Sequence, residues 1–203
     1  MHIKNQSGFS ILEVLITAAV IGIITAVIVV RYSAFNNAIL LKSQAYEIAL
    51  DIREAQSFAV GGRGQGNEFR QDYGIYFDIN TSDRYILFQD SDDIEVATRY
   101  DSVISVAYYD SGEEIAAPYL IDSRFELLRI CINNADSSDC GLEVEDISIS
   151  FKRPDFDAHI VSANGTALGV GFINDVRLEL ANVLDSSKTQ AVEVTSTGLI
   201  DVE

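Results

Sequence analysis

Between Phe9 and Val30 the chain reads FSILEVLITAAVIGIITAVIVV, 22 residues whose only charge is Glu13. As a helix rising about 1.5 Å per residue, this run matches the ~30 Å hydrocarbon core of a bilayer. Arg31 ends the run and Lys4 is the only Lys or Arg before it, so the basic-residue rule points the N-terminus to the cytoplasm. Beyond Arg31 the apolar positions thin to a stripe: Leu41, Ala45, Ile48, Ile52, Ala55 and Ala59. Steps of four and three keep these on one helical face, with Lys42, Glu47, Asp51, Arg53 and Glu54 off it. The two stretches predict one helix from about residue 10 to 60, on the order of 75 Å long. Its first half is expected to be bare and its second half to pack on a head. A coiled-coil seam would use the same stripe, but the stripe is short for one.

Gly61-Gly62-Arg63-Gly64-Gln65-Gly66-Asn67 follows. It lacks the Gly-Lys-Ser/Thr ending of a phosphate-binding loop, and no strand-to-helix setting surrounds it, so it reads as a helix stop and linker. From Tyr73 the pattern turns to short β-branched and aromatic runs: 73–77, 85–89, 103–109, 125–132, 147–151, 176–180, 191–195 and 199–202. Asn80-Thr81-Ser82-Asp83 and Asp110-Ser111-Gly112 are turn-type separators. Val176–Leu180 and Ile147–Phe151 alternate cleanly, as antiparallel strands with one wet face do. The expected fold class is α+β: a long N-terminal helix packed on an antiparallel β-sheet head.

Charge sharpens this division. The 203 residues hold 31 acids against 14 Lys and Arg, a formal charge of −17. Residues 1–60 carry four of each sign, so the whole imbalance, 27 acids against 10 bases, belongs to residues 61–203. A head this acidic is disfavoured as a grip for nucleic acid phosphates. The closing Gly198–Glu203 stretch is acidic too, where a DNA-contacting tail should carry Arg or Lys.

Little residue chemistry is available for catalysis. There are two histidines, His2 and His159, and two cysteines. Cys131 and Cys140 flank a short polar turn. If the head lies outside the cytoplasm they are expected to pair, the rival being a catalytic cysteine acting with His159. Asp90, Asp92, Asp93 and Glu95 crowd one loop, and Asp155 and Asp157 another. Calcium favours such oxygen-rich loops, but no EF-hand spacing is present and solvated loops are the simpler reading. Asn80-Thr81-Ser82 and Asn164-Gly165-Thr166 match a glycosylation acceptor, which depends on the host. Nucleophile-elbow, zinc and dinucleotide motifs do not occur, so neither enzymatic activity nor a cofactor or metal is expected.

An N-terminal apolar run is also what a secretory signal peptide carries. That would want a shorter core and a small-residue cleavage site after it, and neither is found near Tyr32–Asn36. A carboxylate inside the run would cost about 2.5–3.5 kcal/mol near a helix centre in hydrocarbon, less near an interface, and marks a functional position. Gly8-Phe9-Ser10-Ile11-Leu12-Glu13-Val14-Leu15-Ile16 resembles the processing site of type IV pilins and pseudopilins. A plain membrane anchor is the alternative. The resemblance implies a leader of residues 1–8, cleavage by a prepilin peptidase after Gly8, and methylation of the new N-terminal Phe9. It implies that Glu13 then meets the Phe9 amine, in an adjacent subunit or its own chain. Many relatives carry a proline late in the run; here Val30 stands, and no proline precedes Pro118. Gly22 is a weak point at most, and the leader holds Lys4 alone.

The division that follows is leader 1–8, membrane-spanning and assembly helix 9–60, and β-rich head 61–203. The phrase Ile149-Ser150-Phe151-Lys152-Arg153-Pro154-Asp155 and the strand-Gly-strand close around Gly198 are similar to H-type pseudopilin and FimT-like minor pilin heads. The implied product is a single-pass membrane protein with its head outside the cytoplasm, later part of a pilus or type II secretion pseudopilus. Its implied partners are other pilin or pseudopilin subunits, prepilin peptidase, an inner-membrane assembly platform, and lipid before assembly. A minor pilin displaying its head as an adhesin or DNA-uptake module is the second reading.

Overall fold

The computed structural model describes residues 10–61, 72–90, 94–97, 103–106, 109–132, 140–152, 156–162 and 173–203. The chain divides into two compact units, Met1–Leu40 and Leu41–Glu203. Element α1 (Ile11–Gly61) supplies the described helix of both and runs without a break through Gly22.

In the second unit the predicted stripe is the packed face: Leu41, Ala45, Ile48, Ile52, Ala55 and Ala59 are all at most 2% exposed. Alanines at half of these positions let other elements approach the helix closely. The strands are β1 (Tyr73–Asp78), β2 (Arg84–Gln89), β3 (Ile94–Ala97), β4 (Val103–Val106), β5 (Tyr119–Leu120), β6 (Phe125–Ile132), β7 (Leu142–Val144), β8 (Asp146–Phe151), β9 (Ala158–Val161), β10 (Asp175–Asn182), β11 (Asp185–Thr195) and β12 (Ile200–Val202). Two antiparallel five-stranded sheets result, ordered β5-β2-β1-β8-β9 and β12-β11-β10-β6-β7, with β3-β4 a separate ribbon. The described fold is therefore α+β with a long N-terminal helix, as the pattern predicts.

In the first sheet Ile75 lies opposite both Leu87 and Ile149, and Phe77 opposite Tyr85 and Ile147, so one face is a continuous apolar layer. The opposite face departs from expectation. Ser148 and Ser150 are at most 1% exposed, not wet. Tyr109 meets Ser148: its N–H donates to Ser148 Oγ (3.2 Å), and its ring meets those of Tyr76 and Phe88 at 4.8 and 5.7 Å. Ser150 Oγ donates to the His159 carbonyl (3.4 Å). The described part of β4 is Val103–Val106, and Tyr109, where the predicted strand ends, is not in a strand. Strands β3, β5, β7 and β9 have two to four residues each and too little periodicity to be read in advance.

The acidic loop at residues 90–95 also departs from the reading. Asp90 is buried, its N–H donating to the Asp72 carbonyl (2.9 Å), and Asp72 is itself ion-paired with Lys152 (3.2 Å). Glu95 falls within β3. Asp92, Asp93 and Asp155 lie outside the described residues, as do Asn164–Thr166 and Gly62–Asn67.

On the second sheet's polar face, Glu179 is clamped by Arg129 (2.7 Å) and Arg177 (3.2 Å), and Arg177 also pairs with Glu203. The Arg177–Glu179 row, predicted to be wet, is thereby largely covered. Across the ladder Arg177 faces Glu193. Burial pushes the Glu193 carboxyl above its ordinary value, Glu203, Asp175 and Asp201 push the same way, and Arg177 opposes them. The chain closes on a tight turn in which Gly198 has φ +78°, and a Cβ there would sit 2.0 Å from the Phe156 carbonyl oxygen. Gly112 has φ +111° but open space around it.

Two outcomes follow for stability. Gly198→Ala combines backbone strain of about 1–3 kcal/mol with a clash against fixed backbone, whereas Gly112→Ala meets the strain alone. Thermal unfolding should show a clearly larger loss for Gly198→Ala, and equal losses would contradict the close approach. For Glu193 the folded-state pKa is raised, so ionisation costs stability. That cost is absent well below its ordinary value of 4.5 and grows as pH rises through the folded value. Glu193→Gln should therefore unfold at a higher temperature than the parent at neutral pH, with the gap closing in acid; a gap independent of pH would refute the assignment.

Candidate functional site in the apolar helix

The sequence places the functional residues at the start of α1. Ser10 is the helix N-cap: its Oγ accepts from Leu12 N–H (3.3 Å), and its carbonyl accepts from the N–H groups of Glu13 (3.0 Å) and Val14 (3.2 Å). Ser10 and Glu13 have the Ser-x-x-Glu spacing of a capping box, a signal present in the sequence but hidden by the apolar run around it. Glu13 therefore lies in the first turn, where the helix dipole favours an acid by about 0.3–1 kcal/mol. Gly8 and Phe9 lie outside the described residues.

Downstream, every large apolar side chain from Ile11 to Val29 that is described stands between 50% and 82% exposed. Ile11–Val29 is long and apolar enough to cross a membrane, and none of it is buried by the rest of the chain. The two hydroxyls inside it are satisfied internally, Thr17 donating to the Val14 carbonyl (2.9 Å) and Thr25 to that of Ile21 (2.8 Å). This is how hydroxyls are tolerated in hydrocarbon.

In the second unit the helix is fixed by polar contacts spaced along its length. Gln44 Oε1 accepts from Asp122 N–H (3.2 Å), Arg53 Nη2 donates to the Ile200 carbonyl (2.9 Å), and Gln56 Nε2 donates to the carbonyls of Phe156 (3.0 Å) and Gly198 (3.3 Å). Tyr85 donates its hydroxyl to Asp51. Burial raises the Asp51 carboxyl above its usual range, with the Tyr85 hydrogen bond opposing. The same burial, together with the Asp51 charge, pushes the Tyr85 phenol far up, so it stays a donor at any ordinary pH. None of these contacts was readable from spacing, because each joins the helix to a residue at least 34 positions away.

Cys131 and Cys140 are joined as a disulfide with Cα atoms 5.2 Å apart, and no free cysteine remains. His159 belongs to the edge strand β9, so the Cys–His alternative has no thiol to act with. Among the described residues no group of three or more His, Cys, Asp or Glu could hold a metal ion.

Residues 3–29 match the family model of the prokaryotic N-terminal methylation motif. This supports a protein of the type IV pilin or pseudopilin type. The motif takes in Gly8, Phe9, Glu13 and the uncovered run to Val29, and it fits a membrane-anchored chain with an external head. No curated protein and no solved structure matches the chain. The likeness of the head to H-type pseudopilins and FimT-like minor pilins therefore gains no support from them.

Opening the disulfide releases a loop whose ends are nine positions apart. In the chain-entropy account the bond is worth ~2–3 kcal/mol. Cys131→Ser with Cys140→Ser should lower the unfolding free energy by that amount, and reductant should lower the parent's equally while leaving the double variant unmoved. A parent insensitive to reductant would sink the bond.

Proposed function

We propose that prepilin peptidase cuts this chain between Gly8 and Phe9, that the new Phe9 amine is methylated, and that the product is built through α1 into a type IV pilus or a type II secretion pseudopilus as a minor pilin or pseudopilin. The observation that carries this reading is the methylation-motif match over residues 3–29, which couples the Gly8-Phe9 bond to an acid five residues on. Cleavage before the apolar run leaves a subunit that keeps its anchor. The first unit then has two covers in turn, lipid before assembly and neighbouring helices after it.

Glu13 has a physical task in that setting. A carboxylate among apolar side chains needs a cation, and the Phe9 amine freed by cleavage needs an anion. Each removes the other's desolvation cost, and losing one alone leaves a buried unpaired charge worth about 3–5 kcal/mol. Glu13 sets the register of the joining helices, with the assembly platform supplying subunits from the membrane. The head keeps its net charge of −17 outside this contact, and no observation favours a DNA-uptake or adhesin role.

N-terminal sequencing of cell-associated protein should return methylated Phe9, whereas a mature chain that still begins at Met1 refutes processing. Glu13→Ala should leave the chain in the membrane fraction yet reduce its share in sheared surface or pseudopilus material by roughly the hundredfold that ~3 kcal/mol represents. Normal incorporation of that variant would remove Glu13 from assembly.

A further inference from the structure

The connection between β1 and β2 carries Asn80-Thr81-Ser82, the acceptor tripeptide that lies among the described residues. Saccharides are attached to asparagine at Asn-x-Ser/Thr where x is not proline. The connection is a single 3₁₀ turn, Ile79–Thr81, bounded by Asp78 and Ser82. Asn80 and Thr81 are exposed and Ser82 is half-buried, so the folded head leaves Asn80 at its surface.

What singles out Asn80 is a carboxylate on its amide. Asp78 caps the turn, and its Oδ1 accepts from the Asn80 backbone N–H (2.8 Å) and from Asn80 Nδ2 (3.0 Å). A carboxamide nitrogen is a poor nucleophile because its lone pair is shared with the carbonyl. A carboxylate hydrogen-bonded to that nitrogen polarises the N–H bond toward itself and fixes the carboxamide, and such charge-assisted bonds are the strong ones. Asn5-Gln6-Ser7 and Asn164-Gly165-Thr166 also have acceptor spacing, but Ile3 and Ser162 stand where Asp78 stands for Asn80.

Two backbone bonds pin the turn in the finished fold. Ile79 N–H donates to the Glu145 carbonyl (2.8 Å), and Leu127 N–H donates to that of Ser82 (3.0 Å). Glu145 and Leu127 both come later in the chain than Ser82. On a chain exported from its N-terminal end, Asn80 emerges before either partner can hold it. The Asp78–Asn80 contact spans two residues and needs nothing else of the fold, as such local side-chain bonds do not. It is therefore available on the open chain, and it survives modification because a glycosylated amide keeps one N–H.

We propose that Asn80 is an N-glycosylation site and that Asp78 positions its amide for the transfer. The donor is a saccharide carried on a polyprenyl diphosphate. A bond forms between Asn80 Nδ2 and the anomeric carbon of the sugar, and the bond from that carbon to the diphosphate oxygen breaks. The lipid diphosphate leaves with the electron pair, and one Nδ2 proton passes to solvent. This rests on the proposed placement of the head outside the cytoplasm.

Trypsin releases Gln71–Arg84 with Asn80 as its sole asparagine. In full-length protein purified from its own cells, mass spectrometry should find this peptide carrying a saccharide and the peptide that spans Asn164 bare. Asp78→Asn keeps a side-chain oxygen for the cap, so the unfolding temperature should hold. Occupancy of Asn80 in that variant should nevertheless fall by about tenfold, as losing a hydrogen bond to a charged group implies. Asp78→Glu should restore occupancy and Ser82→Ala should abolish it. A bare parent peptide overturns the site. Undiminished occupancy in Asp78→Asn, or equal occupancy of Asn164, overturns the role of Asp78. Protease added outside sealed spheroplasts separates this from the export reading. A digested head with a bare Gln71–Arg84 peptide overturns glycosylation alone, and a protected head overturns export and the site together.

Discussion

Between Ile11 and Val29 this chain holds apolar surface that its own fold does not cover. Twelve large side chains there stand at least half exposed. Burying such a side chain fully is worth about 1.5–3 kcal/mol, so covering the run outweighs the marginal stability of an ordinary domain. In the proposed role, lipid would meet that demand before assembly and other helices after it. In that proposed role the carboxylate inside the run would make the second cover selective, because lipid offers Glu13 no counter-charge and a neighbouring N-terminal amine would.

The same element changes its surroundings at Leu41. From there a four-and-three stripe is buried to 2% or less, and its polar flank makes the contacts that set its position. Gln44 bonds Asp122, Asp51 bonds Tyr85, and Arg53 and Gln56 both hold the closing segment at Ile200 and Gly198. Arg53 also has a protective effect. It occupies the Ile200 carbonyl on the edge strand β12, while Asp201 Oδ1 accepts from Val202 N–H (2.8 Å). Two groups that a foreign strand would pair with are thereby taken, which is one way a sheet edge avoids aggregation.

What the sequence made legible follows from range. The apolar run, the stripe and the long strands are periodic over many residues, and β6, β10 and β12 lie within two residues of their predicted bounds. The Ser10 cap was legible in principle, since Ser-x-x-Glu is a local signal. The buried serines of β8 were not, because an alternating strand looks the same whether its polar face meets water or Tyr109. Asp90 was misread for the same reason: an acid in an acidic stretch looks solvated until a distant Lys152–Asp72 pair closes over its end of the sheet. Gly8 and Phe9 had their role proposed from a motif, and no geometry of theirs is described.

In the proposed assembly the charge of −17 would oppose the joining of helices less than its size suggests. The Arg129–Glu179–Arg177–Glu203 cluster on the second sheet holds two acids and two bases and adds nothing to that imbalance. Charges at the surface are screened beyond about 8–10 Å at physiological salt. Apolar contact in α1 acts at van der Waals range and is not screened at all. The two forces therefore act at different distances. In the proposed assembly, repulsion between heads would set how far apart neighbouring heads settle, while the helix would decide whether subunits join. Putting all the imbalance beyond residue 60 and none before it keeps these two tasks separate along the chain.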